Sequence, residues 1–352
     1  MSLSDGKKAM DLQKTSRIPR TEYSLDYHYE LQRAVTGVDV NKDSSDEIKK
    51  KAFSELAKIW DFDFFWGVDI STNYYGGYYT KMGHAEYAAD GSDYNNVISC
   101  PFETVEQVLS FEPLNQYGIT PKQELISFLN KRNEQKCKDN PDGINTIGTY
   151  TTFISGAIAI FGWDMFLMAL GTDSDECGAM MTRYAEYMMQ YYEALAETES
   201  PYILIHDDIV WTSGAFVSPS WYRKYVFPAY KRYLKLLEGS GKKILYCSDG
   251  NFTEFIDDIA DCGFQGFILE PHTSLEYIAQ KYGSTHVIIG NADTRILLSG
   301  TKQQIHDEVK RCMEIGKSCP GFFMAVGNHI PANTPVENAI YYNECYENMS
   351  CR

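Results

Sequence analysis

The sequence has no CxxC pair, no GxGxxG after its first strand-like run and no cluster of arginines. Each absence excludes something. Nine cysteines are scattered at Cys100, Cys137, Cys177, Cys247, Cys262, Cys312, Cys319, Cys345 and Cys351. An odd number without close pairs, in a long chain, argues against a disulfide framework and for reduced thiols in a cytoplasmic protein. Without the glycine fingerprint, a doubly wound open sheet remains an alternative but lacks its most common signature. Only ten of the 32 basic residues are arginine, and the net charge is −16. A surface this acidic repels nucleic acid and anionic membranes, and it disfavours a polyanionic substrate. The first twenty residues, MSLSDGKKAMDLQKTSRIPR, contain no apolar core of the kind a signal peptide needs. One long apolar stretch, 152–170, contains Asp164, Ser155 and two glycines, which suits a buried strand leading into a buried helix better than a membrane span.

The chain has 352 residues, 44% of them hydrophobic, ample for a large core. Short apolar runs recur, five of the seven closing on Gly, Asp or His: DFDFFWGVD (61–69), TIGTYTTF (146–153), YILIHDD (202–208), KKILYCSDG (242–250), GFQGFILE (263–270), THVIIGNAD (285–293) and GFFMAVGNH (321–329). Continuous rather than alternating apolar runs predict parallel strands buried on both faces. Helical stretches lie between them, and the repeat of roughly 30 residues fits an α/β fold of the (β/α)8 TIM-barrel type. Seven strands are placed, with an eighth expected between 90 and 112. Residues 1–55, rich in Lys and Asp, predict an N-terminal helical extension of a single domain spanning 1–352.

In such a barrel the chemistry sits where the strands end. Those ends carry Asp69; His206, Asp207 and Asp208; Cys247 and Asp249; Glu270 and His272; Asn291 and Asp293; and Asn328 with His329. Asp and Asn cap helices and turns wherever chains turn, which accounts for Asp293 and Asp207. A His, a Cys and a Glu converging on one rim point instead to a site. The loop 71–87 holds Tyr74, Tyr75 and His84. It predicts either a wall of amphipathic rings around a ligand or a hairpin turning at Gly-Gly. Cys247 and Asp249, two apart on a strand, share a face. With His206 and Glu270 they form a candidate set for zinc or another divalent metal, against the plainer reading of a core cysteine and a turn-capping aspartate.

Several ordered segments resemble the uroporphyrinogen decarboxylase superfamily. They are IHDDIVWTSGAFVSPSWYRKYVFPAYKRY, ILYCSDGNFTEFIDDIADCGFQGFILEP, GNADTRILLSGTKQQIHDEVKRC and GNHIPANTPVENA, with a looser match through RIPR (17–20) and the strand ending at Asp69. The resemblance implies either decarboxylation of a pyrrole carboxylate or methyl transfer between a corrinoid protein and a thiol. The decarboxylase branch grips its substrate through an Arg-rich N-terminal motif, of which only Arg17 and Arg20 stand here. Asp69 resembles its pyrrole-binding aspartate, its histidine falls on Asn328 beside His329, and its tyrosine falls near Gly156. The zinc ligands of the methyltransferase branch fall on Cys247, Asp249 and Asn328, so the ligand set has changed. The expectation is therefore a corrinoid-linked methyltransferase. Its catalytic candidates are Asp69, His206, Asp208, Glu270 and His329, and its cofactor-binding candidates are Tyr74, Tyr75, His84, Asn291 and Asn328. Its partners would be a corrinoid (cobalamin) protein and a small-molecule substrate, with a homodimer compatible. Decarboxylation and a non-catalytic tetrapyrrole-binding role are the alternatives.

Overall fold

The computed structural model describes residues 3–80 and 99–352. Each of the seven apolar runs contains a strand. In chain order the strands are β1 (Phe64–Phe65), β2 (Ile144–Asn145), β3 (Ile147–Thr149), β4 (Tyr202–His206), β5 (Lys243–Ser248), β6 (Gly266–Leu269), β7 (Val287–Ile289) and β8 (Phe322–Phe323). All pairings are parallel: β3 to β8 form one sheet in chain order, and β1 pairs with β2. Helices connect successive strands, as parallel pairing demands. Only Thr146 separates β2 from β3. Its hydroxyl accepts the Gly67 N–H at 2.9 Å and donates to the Gly67 carbonyl at 3.0 Å, tying the two sheets to one chain segment.

Beyond the seven runs the described residues hold one more strand, β2, and it lies outside the range 90–112 in which an eighth is expected. Residues 99–112 hold the helix Val105–Leu109 and no strand, and 90–98 lie outside the described residues. The extra sheet partner comes instead from the N-terminal stretch. Arg20 bridges in parallel to both Phe62 and Met324. The Asp63 N–H donates to the Arg20 carbonyl at 2.8 Å, and the Met324 N–H donates to the Pro19 carbonyl at 2.8 Å. Pro19 has no N–H to donate, and only its carbonyl is needed. Around this stretch lie the helices Leu3–Met10, Tyr29–Thr36 and Asp46–Ile59. The region expected to be a helical extension therefore also supplies sheet.

Side-chain alternation divides the core in two. Leu204, Leu245, Cys247, Ile268, Val287, Ile289, Phe323 and Ala325 pack together on one face of the strands with Phe64 and Ile144. Their chain neighbours Ile203, Ile205, Ile244, Tyr246, Phe267, Leu269, Ile288, Phe322 and Met324 pack with the helices on the other. This period of two follows from strand geometry. The first set is called the inner face below.

The apolar stretch at 152–170 falls in the helix Ile154–Thr172, which is long and apolar enough by composition to cross a membrane. Its first turns are wholly buried, and non-helical angles at Gly162 (φ 73°) break it in the middle. It starts where Asp207, fully buried, accepts the N–H groups of Ile154 (3.2 Å) and Ser155 (2.7 Å).

Candidate active site

Strand parity delivers side chains to one place. Continuing the inner column of β4 from Leu204 gives His206 and then Asp208. Continuing β5 from Leu245 and Cys247 gives Asp249, and continuing β6 from Ile268 gives Glu270. At these strand ends apolar packing gives way to a polar network. His206 Nε2 and Asp208 Oδ1 share a hydrogen bond of 2.9 Å, and the same oxygen accepts the Asp249 N–H at 2.9 Å. The Tyr150 hydroxyl donates to the other Asp208 oxygen at 3.3 Å, and the Asp208 N–H donates to Ser155 Oγ at 2.8 Å. The Asn328 amide bridges two carboxylates, donating to Asp249 at 3.2 Å and to Glu270 at 2.6 Å. Its carbonyl oxygen pairs with His329 Nδ1.

Gly250 is where the loop geometry leaves no alternative. Its φ is +79°, and a Cβ would stand 2.7 Å from the Trp211 carbonyl oxygen. That conformation aims its N–H at Glu270, 2.6 Å away. Beside it a cleft of about 580 Å³ is lined by Val210, Trp211, Thr212, Ser213, Asp249, Gly250 and Glu270.

The electrostatics follow from burying like charges together. Burial alone would lower the His206 pKa, but Asp208, through charge and hydrogen bond, with Asp249 and Asp207, holds the imidazole above its ordinary value. Burial, then the charges of Asp208 and Glu270, push Asp249 well above the usual carboxylate range, while His206 and Asn328 offset only part of this. Burial raises Asp207 to about 6, even though it accepts the Ser155 N–H and the Tyr230 hydroxyl. Burial lowers His329.

Five of the expected residues thus meet: His206, Asp208, Asp249, Glu270 and Asn328, with His329 attached through Asn328. Others serve elsewhere. The Asp69 carboxylate is taken by Arg132 Nε (3.0 Å) and Lys136 Nζ (2.7 Å) of the helix Lys122–Asp139. Asn291 donates to the Glu270 and Thr273 carbonyls and accepts from Arg311, so its amide is committed to holding the loop. The loop from 71 forms a 3-10 turn at Thr72–Tyr74, not a hairpin strand, among the described residues. Tyr75 is buried, shares a 2.7 Å hydrogen bond with the Tyr184 hydroxyl and stacks on Tyr117, while Tyr74 packs on Tyr191. Both rings therefore build the helical layer rather than a ligand wall. His84 lies outside the described residues. Asp293 caps the helix Thr294–Ser299 through the Arg295 N–H, as the capping reading expects.

The metal-ligand expectation changes its members. His206, Asp208 and Asp249 offer ligand atoms all within 4.8 Å of one another, a set that fits a divalent cation. Cys247 does not join them. Residues two apart on a strand share a face but stand about 7 Å apart along it. The thiol accordingly lies deeper, among Leu204, Leu245 and Ile268. Burial and the nearby carboxylates push it well above its ordinary pKa, away from the thiolate a metal requires.

Three site neighbours escape the motif reading. The Trp66 ring meets His206 edge-on at 5.7 Å, the Tyr150 ring does so at 4.6 Å, and Tyr23 packs on the inner face. Parity from Phe64 would have found Trp66. No sequence signal marks Tyr23, because its segment does not look like a strand.

Known proteins similar to this chain share one family description. The uroporphyrinogen decarboxylase (URO-D) family model matches residues 104–348. A uroporphyrinogen decarboxylase from Geobacter sulfurreducens is 27% identical over 176 residues, covering 50% of each chain. One from Thermus thermophilus is 29% identical over 171 residues, covering 49% of this chain and 48% of that one. The chain spans about half the length of the curated relatives it matches. The solved structure of a methyltransferase from Methanosarcina mazei superposes over 99% of both chains with a TM-score of 0.65 at 18% identity, which speaks for the fold alone. With a family model matched over more than half its length and the polar strand ends gathered on one rim, the chain belongs to the uroporphyrinogen decarboxylase (URO-D) family.

Proposed function

We propose that the chain is a methyltransferase within this family, moving a methyl group between a corrinoid carried by a partner protein and a small acceptor bound at the cleft. One observation carries the choice over decarboxylation. The two arginines that resemble the decarboxylase motif are already paired: Arg17 with Asp63 at 2.7 Å, and Arg20 with Glu22 at 2.7 Å. Asp69, which resembles the pyrrole-binding aspartate, is likewise held by Arg132 and Lys136. Among the described residues, none of those lining the cleft is Lys or Arg. A substrate with several carboxylates would meet Asp249 and Glu270 uncompensated, at several kcal/mol for each buried ion. The second reading, decarboxylation, rests on the names of the curated relatives.

In the proposed reaction the His206–Asp208 pair manages the proton of the acceptor. Asp208 orients the ring through Nε2 and favours its protonated form, so the imidazole can take up a proton and return it. Asn328 and the Gly250 N–H fix Glu270, and Asn328 also fixes Asp249. A divalent cation, if bound, would be held by His206, Asp208 and Asp249 and would lower the acceptor's pKa. The Arg20 segment, pairing on both its sides, is proposed to close the sheet into a (β/α)8 barrel whose rim is this site.

The test is to mix purified protein with methylcobalamin and a panel of thiols and follow the cobalamin spectrum, with uroporphyrinogen turnover measured in parallel. Demethylation that is lost in His206→Ala supports the reading. Steady coproporphyrinogen formation without demethylation sinks it.

A further inference from the structure

The cleft is built for more than a proton or a metal ion. Two carboxylates, Asp249 and Glu270, line it, with Asp208 and His206 bonded behind Asp249 and His329 joined to both carboxylates through Asn328. A volume of about 580 Å³ is within the range of small-molecule sites. One wall is aromatic. Trp211 is 45% exposed, yet its ring is fixed against Trp163 (5.8 Å) and Phe216 (5.5 Å), which themselves meet at 5.4 Å. Its backbone is pinned as well, its N–H donating to the Gly214 carbonyl at 2.9 Å and its carbonyl accepting the Asn251 N–H at 3.0 Å. A tryptophan held rigid beside two carboxylates, Asp249 and Glu270, is a pairing that suits an organic cation, with charge facing oxygen and methyl groups facing the ring.

A second polar feature lies on the inner face of the strands. Tyr23 packs on the inner face, in the cluster that contains Cys247, one inward position below Asp249. Its hydroxyl oxygen is shielded from solvent and meets no hydrogen-bonding group among the described residues. Buried hydroxyls are ordinarily partnered, so this one leaves room for a polar atom beyond the described residues.

We propose that the cleft binds a small organic cation of the methylated-ammonium class, its charge against Asp249 and Glu270 and its methyl groups against Trp211. The proposal rests on the mouth being the small-molecule site of the proposed methyl transfer; a quaternary ammonium has no lone pair with which to accept a methyl group, so it would stand there as the methyl donor to the corrinoid, and its binding requires no turnover.

The experiment is calorimetric titration of the full chain with choline and with its uncharged isostere 3,3-dimethyl-1-butanol, which keeps shape and hydroxyl and removes only the charge. Choline should bind about tenfold more tightly than the isostere, within the range expected for a desolvated cation–π and carboxylate contact. Asp249→Asn should weaken choline about tenfold. Trp211→Leu should weaken it several-fold, with circular dichroism confirming that both variants fold. Equal affinity for the two ligands overturns the proposal. So does binding of zinc or magnesium chloride with none of choline, which would make the carboxylates a metal site. Choline binding without any methylcobalamin reaction would overturn the proposed function and leave this inference standing.

Discussion

Two polar regions of this molecule differ in depth and in charge balance: one is fully buried, the other opens at the strand ends. On the helix-facing side of the sheet, Arg20 is fully buried, paired with Glu22 and hydrogen-bonded to Asn343, with its guanidinium 4.4 Å from the Tyr346 ring and 5.1 Å from that of Trp60. Glu22 also accepts the Tyr342 hydroxyl (2.8 Å) and the Val326 N–H (3.0 Å). Arg17 and Asp63 complete the region, so two cations face two anions and their lone pairs are filled. At the rim, three carboxylates, Asp208, Asp249 and Glu270, surround His206; their charges raise His206 against its burial, and burial together with Asp208 and Glu270 raises Asp249. A balanced network holds a fold together, whereas an unbalanced one stores the capacity to bind or to move a proton.

Breaking the balanced network should have the largest effect. Arg20→Ala leaves the Glu22 carboxylate buried and uncompensated, so about 3–5 kcal/mol of stability should be lost in urea denaturation. The sheet partner between β1 and β8 depends on the same residue. Pairing Arg20→Met with Glu22→Gln should recover part of that loss, since no bare charge then remains. If the single variant costs under about 1 kcal/mol, the network is not what docks the N-terminal segment.

At the rim the corresponding change should harm chemistry more than folding. His206→Ala should cut turnover by about a hundredfold or more, the usual contribution of one acid–base group. The pH dependence sharpens the contrast. A folded pKa held above the unfolded one stabilises the protein below the unfolded pKa, and that contribution is lost as pH rises through the folded value. Asp207 at about 6, Asp249 and His206 are all shifted upward, so they act with one sign. The melting temperature should fall as pH is raised from about 5 to about 8, and Asp249→Asn should flatten that slope. A melting temperature that climbs over the same range would show that the rim carboxylates are compensated after all.

What the sequence made legible tracks how local the signal was. The strands at Ile203–Ile205, Ile244–Leu245 and Val287–Ile289 announce themselves because β-branched and leucine runs buried on both faces have few other fates. The rim residues His206, Asp208, Asp249 and Glu270 follow from those strands by parity alone. The segment around Arg20 was not legible as sheet, because its pairing is set by contacts with Phe62 and Met324, far away in sequence. Tyr74 and Tyr75 misled for the same reason: a tyrosine-rich loop reads alike whether its rings wall a ligand or pack on Tyr184 and Tyr191. The paired state of Arg17, Arg20 and Asp69, which bears on the choice between two chemistries, depends on partners that only the tertiary structure brings near.

The smallest expected effect belongs to Cys247, and it separates the rim from the column beneath it. Motif resemblance places this residue at a metal ligand; the structure places its thiol in apolar packing with Leu204, Leu245 and Ile268, protonated, one inward position below Asp249. If the rim begins at Asp249, Cys247→Ala removes one buried sulfur atom from a dry interior. The cost should be about 1 kcal/mol, at the low end for a core truncation because one atom leaves a small cavity. Choline affinity and any methylcobalamin reaction should stay within about twofold of the parent, and zinc content should not change. Cys247→Ser should be equally silent for binding, since it changes only the atom below the rim. Zinc lost in Cys247→Ala but retained in Asp208→Asn would reverse the assignment, moving the ligand set one step down the strand and the boundary between core and site with it.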